Sequence, residues 1–120
     1  IGLWAVALKE TGEMVGQCGL TWQDCSERRV LEVGYLFCRA FWHRGFATEA
    51  ARACRDYAFR ELGADEVFSI IRDTNAPSLR VAARNDMTYR LTFTKHYRGV
   101  AMPHLAHSIT RCEWERLQGR

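Results

Sequence analysis

The order of patterns along the chain predicts a mixed α/β domain over residues 1–120. Its sheet is expected to be mostly antiparallel, with one strand-helix-strand crossover at the centre. Three observations carry that expectation. Two apolar runs, 1–9 and 14–22, flank the turn ETGE at 10–13, which is a hairpin pattern. The run VLEVGYLF at 30–37 leads into a stretch with helical spacing and then the short apolar run 67–71, a crossover joining two roughly parallel strands. A capped second helix and two further strands complete the order β-β-β-α-β-α-β-β.

Each element follows from local chemistry. Leu3, Ala5 and Ala7 alternate with Trp4, Val6 and Leu8, so both faces of the first strand are apolar and a central position is expected. Residues 23–29 are polar and read as a loop. In 30–37, Leu31, Val33, Tyr35 and Phe37 share one face, while Glu32, Gly34 and Leu36 share the other. A glycine inside a strand predicts a bulge or a close backbone approach. Over 47–62, Ala47, Ala50, Ala51, Cys54, Ala58 and Leu62 keep helical spacing, and Glu49, Arg52, Arg55, Asp56 and Arg60 supply the wet face. Gly63 ends that helix. Asn75 caps the next one, with Pro77 in its first turn, and Asn85-Asp86 follow Arg84 as its exit. The last strands are expected at 89–97 and 107–114, joined by a loop holding Gly99 and Pro103.

Composition narrows the function classes. With 120 residues, 48% hydrophobic, the chain can bury one core. No apolar run approaches the ~18 residues of a membrane helix, and no signal-peptide pattern opens the sequence. Five cysteines without a C-x-x-C pair suit reduced thiols in a cytoplasmic protein. His104 and His107 form an H-x-x-H without further ligands, so no metal is expected. A net charge of +3 suits a small anionic partner and falls short of a nucleic-acid surface.

The stretch FWHRGFATEAARACRDYAF at 41–59 carries the chemistry. A helix N-terminus presents unpaired N–H groups and a partial positive charge, which suits an anion. Gly45 lets a ligand approach the backbone, and His43 and Arg44 add donors. On spacing alone two readings stand: a phosphate cradle, or a plain turn with solvated basic residues. Neither G-x-x-x-x-G-K-[ST] nor G-x-G-x-x-G is present.

Taken together, EVGYLF, FWHRGFATEA and NAPSLRVAARNDM, with KHYRG and HSITRCEW further on, resemble the GNAT acyltransferases. The nearest likeness is to the RimJ/RimL-like branch of ribosomal-protein N-terminal acetyltransferases. The resemblance implies a GNAT-like fold and acetyl-CoA as acetyl donor to a primary amine, by direct attack in a ternary complex. It makes WHRGFA at 42–47 the pyrophosphate loop, with Trp42 at the position where the general pattern has Gln or Arg. The implied cofactor contacts are Leu36, Phe37, Arg39, His43, Arg44, Gly45, Phe46, Ala47, Thr48, Asn75 and Ser78. Glu32 is the implied base, against an ordinary strand glutamate in an ion pair. Ser78 is the implied hydrogen-bond donor to the leaving thiolate, against a serine that stabilises its helix. The tyrosine that serves many relatives as general acid falls on Ala82, so that mechanism does not carry over. Cys38 lacks an adjacent base and is not expected to act covalently.

Two departures from the family pattern stand out. The family fold begins with a strand and two helices before the hairpin, and the first strand here corresponds to its second. An N-terminally truncated form is therefore expected, with one acceptor wall absent or supplied by a partner, and with an open sheet edge that favours homodimers. Asn85-Asp86-Met87 stands where relatives place a glycine, and Asn and Asp tolerate the left-handed conformation such a turn needs. Trp22, His96, Tyr97, Arg98 and His104 are candidates for the acceptor side. A non-catalytic acyl-CoA-binding module is the first rival reading. A ribosome- or RNA-surface binder using Arg39, Arg44, Arg52 and Arg55 is the second, marked by steep salt dependence.

Overall fold

A computed structural model describes residues 2–38 and 45–119. Its elements are β1 (Leu3–Ala7), β2 (Met14–Cys25), β3 (Arg28–Phe37), α1 (Phe46–Arg60), β4 (Glu66–Arg72), α2 (Ala76–Arg84), β5 (Thr88–Tyr97), β6 (Val100–Thr110) and α3 (Arg111–Gln118). The strands form one six-stranded sheet in the order β1-β2-β3-β4-β6-β5. Neighbours run antiparallel except β3 and β4, which are parallel and joined through α1. The predicted α/β class and the central crossover are therefore present.

The helices lie over one face of the sheet. Leu20, Leu31, Val33, Val67 and Ile109 from the strands pack with Ala51, Cys54, Ala58, Phe59, Val81 and Trp114 from the helices. Cys25, Val30, Phe68 and Ala106 form a smaller cluster of their own, with Ile70 and Phe93 beside it. The face predicted for Leu31 and Val33 is the helix-covered one; Glu32 points the other way.

Several expectations are corrected. The polar segment 23–29 is mostly strand: β2 and β3 continue through it to a tight turn in which Ser26 takes φ 58°. β1 is an edge strand among the described residues, with Leu3 66% and Trp4 43% exposed, not a central one. Its apolar residues on both faces misled the periodicity argument. The loop expected around Gly99 shrinks to a turn with Arg98 at φ 51° and Gly99 at φ 79°. Pro103 sits inside β6 opposite Thr94. It is tolerated there because the β4 ladder stops at Arg72–His104, so no ladder bond is lost on that side.

The expected strand at 107–114 is half helix. Thr110 ends β6 and caps α3: its hydroxyl accepts from Glu113 N, and Glu113 Oε1 accepts from Thr110 N in return. Trp114 then stacks on Phe59 at 5.0 Å. Arg111 donates to the carbonyls of Phe59 (2.6 Å) and Ala64 (3.0 Å), fastening α3 to the end of α1.

Arg55 was expected on the wet face of α1 and is 3% exposed. Its guanidinium donates to Asp56 Oδ1 (3.0 Å), to the Asn85 carbonyl (3.0 Å) and to Asp86 Oδ2 (3.4 Å). Trp114 Nε1 donates to the same Asp56 oxygen at 2.9 Å, so one cluster ties α1, α3 and the exit of α2. That exit takes the conformation the sequence required, with Asp86 at φ 64°. Asp56 and Asp86 keep contact with water, which moderates the cost of losing the arginine. Arg55→Met should lower unfolding free energy by about 3 kcal/mol, the low end for breaking a buried pair. Urea titration checks this, and a loss below ~1 kcal/mol would place the cluster among ordinary surface pairs.

Candidate functional site

The site begins where two strands part. β4 pairs with β6 from Glu66–Thr110 to Arg72–His104, but its described register with β3 is the pair Glu32–Phe68. Beyond it two side chains span the gap. Ser69 Oγ donates to the Val33 carbonyl at 3.2 Å, and the Ile70 N–H donates to Glu32 Oε2 at 2.8 Å. Val33 thus turns its carbonyl toward β4, and strand alternation turns the backbone of Tyr35 the same way.

The opening is a cleft of about 210 Å3 between the end of β3, the start of α1 and the first turns of α2. Leu36 and Phe37 line one wall, Gly45, Phe46, Ala47 and Thr48 the end, and Asn75 and Ser78 the other wall. Eight of the residues singled out in the sequence therefore meet in one place. Arg39, His43 and Arg44, with Trp42, lie outside the described residues.

Gly45 is the N-cap of α1 at φ 80°, ψ −1°, and no side chain caps the helix. A Cβ there would meet nothing within 4 Å, so conformation, and not crowding, calls for glycine. Asn75 caps α2 as expected: its Oδ1 accepts from Ser78 N at 3.3 Å. No acidic side chain lines the cleft among the described residues, whereas Arg80 and Arg84 do. A helix start and two arginine side chains give the cleft, with its apolar walls, a character that suits an anion.

Four contributors escaped the sequence reading. Tyr35 shares the helix-covered face with Leu31 and Val33, and its hydroxyl reaches α2 to donate to the Ser78 carbonyl at 3.0 Å. Burial pushes that phenol up, which keeps it a donor. Arg80 and Arg84 were detectable as basic residues four apart on α2, one helix face. Ser69 carried no sequence signal.

Glu32 does not line the cleft. Its carboxylate occupies the gap between the strands, and burial pushes it above the usual value of 4.5 despite the Ile70 N–H and the Lys95 charge. Gly34 faces Gly19 in an unshifted β2–β3 register, so the expected bulge is absent from that ladder, and a Cβ on Gly34 would meet nothing within 4 Å. Ala82 is 1% exposed in the core, where no general acid could act. Cys38 is exposed, with its N–H on the Val15 carbonyl. His104 and His107 contact Phe93 and Tyr89 respectively, and three-residue spacing on a strand sends their rings to opposite faces. No described helix is long and apolar enough to cross a membrane.

Comparison with known proteins shows the family and the fold. Residues 1–88 match the family model described as an acetyltransferase (GNAT) domain. The chain is 40% identical over 102 residues to the uncharacterized protein YkkB of Bacillus subtilis, covering 85% of this chain and 59% of that protein. It is 37% identical over 91 residues to the FsC-acetyl coenzyme A-N(2)-transacetylase of Aspergillus fumigatus, covering 72% of this chain and 39% of that one. A GCN5-related N-acetyltransferase from Brucella melitensis superposes with a TM-score of 0.80 at 27% identity, covering 98% of this chain and 54% of that one. The chain thus spans less than two thirds of the length of these proteins.

The position of Glu32 has a measurable signature. The native chain retains this proton at pH values where the unfolded chain has released it. Stability therefore falls as pH rises from about 4.5 through the native value, then levels off. Glu32→Gln keeps an acceptor for Ile70 N–H and removes that decline. Urea titrations from about pH 4 to about pH 8 should show the variant gaining on the wild type as pH rises. A pH-independent difference would contradict the buried carboxyl.

Proposed function

The chain belongs to the GNAT acetyltransferase family, and we propose that it binds acetyl-CoA in the β3–β4 cleft and transfers the acetyl group to a primary amine. The observation that carries the proposal is the parting of β3 from β4 directly beside an uncapped helix start with glycine at φ 80°. In this reading the pyrophosphate rests on the start of α1, within reach of Arg80 and Arg84. The pantetheine arm runs along β3 at Tyr35–Phe37 in place of the missing ladder, and Asn75 meets it from α2.

The chemistry follows in balanced steps. The neutral amine attacks the thioester carbonyl carbon, forming a C–N bond and an oxyanion. The backbone N–H of Tyr35, turned into the gap, is placed to bind that oxyanion. Collapse breaks the C–S bond, and the CoA thiolate, held by a hydrogen bond from the Ser78 hydroxyl, takes up the proton that the former amine nitrogen loses, leaving the amide and the free CoA thiol. Tyr35, bonded to the Ser78 carbonyl, positions that turn of α2. Glu32 takes the proton shed by the ammonium, through a water, and its raised pKa makes it a stronger base than an exposed glutamate. The acceptor is a protein N-terminus, as in the RimJ/RimL-like branch, or a small-molecule amine. The name of the Aspergillus relative, which couples acetyl coenzyme A to an N(2) position, supports an amine nitrogen. One observation favours a binding module without turnover: the Glu32 carboxylate is already engaged by Ile70 N–H.

Two measurements decide. Acetyl-CoA at ~100 times its dissociation constant should add about 2.7 kcal/mol to stability, seen as a selective rise in Tm that ATP and NAD do not give. Gly45→Asp should lose that rise through charge repulsion, while Gly45→Asn, equally able to adopt positive φ, keeps more of it. Full binding by the Asp variant would overturn the placement. Against a panel of amines, Ser78→Ala should lower kcat by about 100-fold with little change in KM for acetyl-CoA. Binding without turnover by the wild type would select the binding-module reading.

A further inference from the structure

On the far side of α1 from the cleft, a second and larger opening of about 820 Å3 runs between α1 and the β1–β2 hairpin. Trp4, Val6, Ala50 and Tyr57 are among its walls, and both Cys18 of β2 and Cys54 of α1 reach its lining. The two sulfurs are 3.3 Å apart although the residues are 36 positions apart in sequence. Each is nearly buried, Cys18 at 2% and Cys54 at 7% exposure, so the groove is their route to solvent. The remaining cysteines are placed differently: Cys25 is buried in the smaller cluster, and Cys38 and Cys112 are exposed.

We propose that Cys18 and Cys54 form a peroxide-responsive dithiol, which hydrogen peroxide entering the groove converts to a disulfide pinning α1 to β2. The Cys54 sulfur attacks one peroxide oxygen and the O–O bond breaks. The departing hydroxide takes up a proton and leaves as water, giving a sulfenic acid at Cys54. The Cys18 sulfur then attacks the Cys54 sulfur. An S–S bond forms, the S–O bond breaks, and the hydroxide leaves with the Cys18 proton as a second water. Two thiols and one peroxide thus yield one disulfide and two waters.

The sulfurs must close from 3.3 Å to a bond length of about 2.0 Å, a movement within the reach of side-chain rotation and a small helix shift. The hydrogen bond between the thiols, reinforced by burial, pushes Cys18 up; the same bond draws Cys54 down against its own burial. That asymmetry gives the pair one nucleophile and one proton holder. Trp4 and Tyr57, whose rings meet edge to face at 5.6 Å, form one wall of the groove, and peroxide is small enough to enter the opening beside them. Phe46 lines both openings, so the pinned helix is the one whose first turn faces the cleft. The dithiol stands on its own geometry and needs no assumption about the cofactor.

The test uses the reduced wild-type chain, exposed to graded hydrogen peroxide while folded, then denatured, alkylated, digested and analysed by mass spectrometry. The expected result is joint loss of alkylatable Cys18 and Cys54, recovery of a peptide linking them, and reversal by dithiothreitol. In Cys18→Ser, dimedone should trap the sulfenic acid at Cys54. Retention of both as free thiols at peroxide doses that oxidise Cys38 and Cys112 would overturn the proposal. So would a Cys18–Cys54 link that forms only when peroxide is added in denaturant.

Discussion

Everything at the candidate site depends on β3 and β4 being parallel strands that pair and then separate. A parallel pair needs a crossover, and the crossover here is α1, whose first turn therefore arrives beside the end of β3. Separation leaves strand backbone facing a gap, which is costly if buried and unpaired. The protein answers with side chains at one end, where Ser69 and Glu32 cap the nearest groups, and with an open cleft at the other. A ligand carrying amide groups in an extended chain can complete what the ladder leaves unfinished. The fold thus produces a strand-like slot ending at a helix start.

Holding that slot open requires α1 and α2 to stay in register. The Arg55 cluster does this from below, joining α1 to the exit of α2, while Arg52 donates to the Arg84 carbonyl and to Asn85 Oδ1 (3.1 Å) along the same seam. Asn85 is itself 1% exposed. Asp86 supplies the left-handed turn at this exit and also an acceptor for Arg55, so one residue serves as both turn and polar anchor.

How far this could be read from sequence depended on whether the signal was local. The cap at Asn75, the glycine at 45 and the helical spacing of α1 are local, and each was legible. The capping box at Thr110–Glu113 is equally local: this T-x-x-E signature starts α3 inside the segment expected to be a strand. Burial of Arg55 was hidden because its partners come from α2's exit and its own neighbour, contacts visible only in three dimensions. The roles of Tyr35 and Ser69 depend on which strand each faces across the gap. Periodicity assigns a face but cannot assign a partner.

Where strands are joined by a ladder, their spacing is fixed at about 4.8 Å by the backbone itself. Here the spacing near Val33 and Ile70 is set by the length of a serine and a glutamate side chain. Strand spacing at that point thereby becomes a property encoded in two codons. A glutamate-to-aspartate change shortens one of the two links and alters that spacing, with the rest of the sheet left as it is.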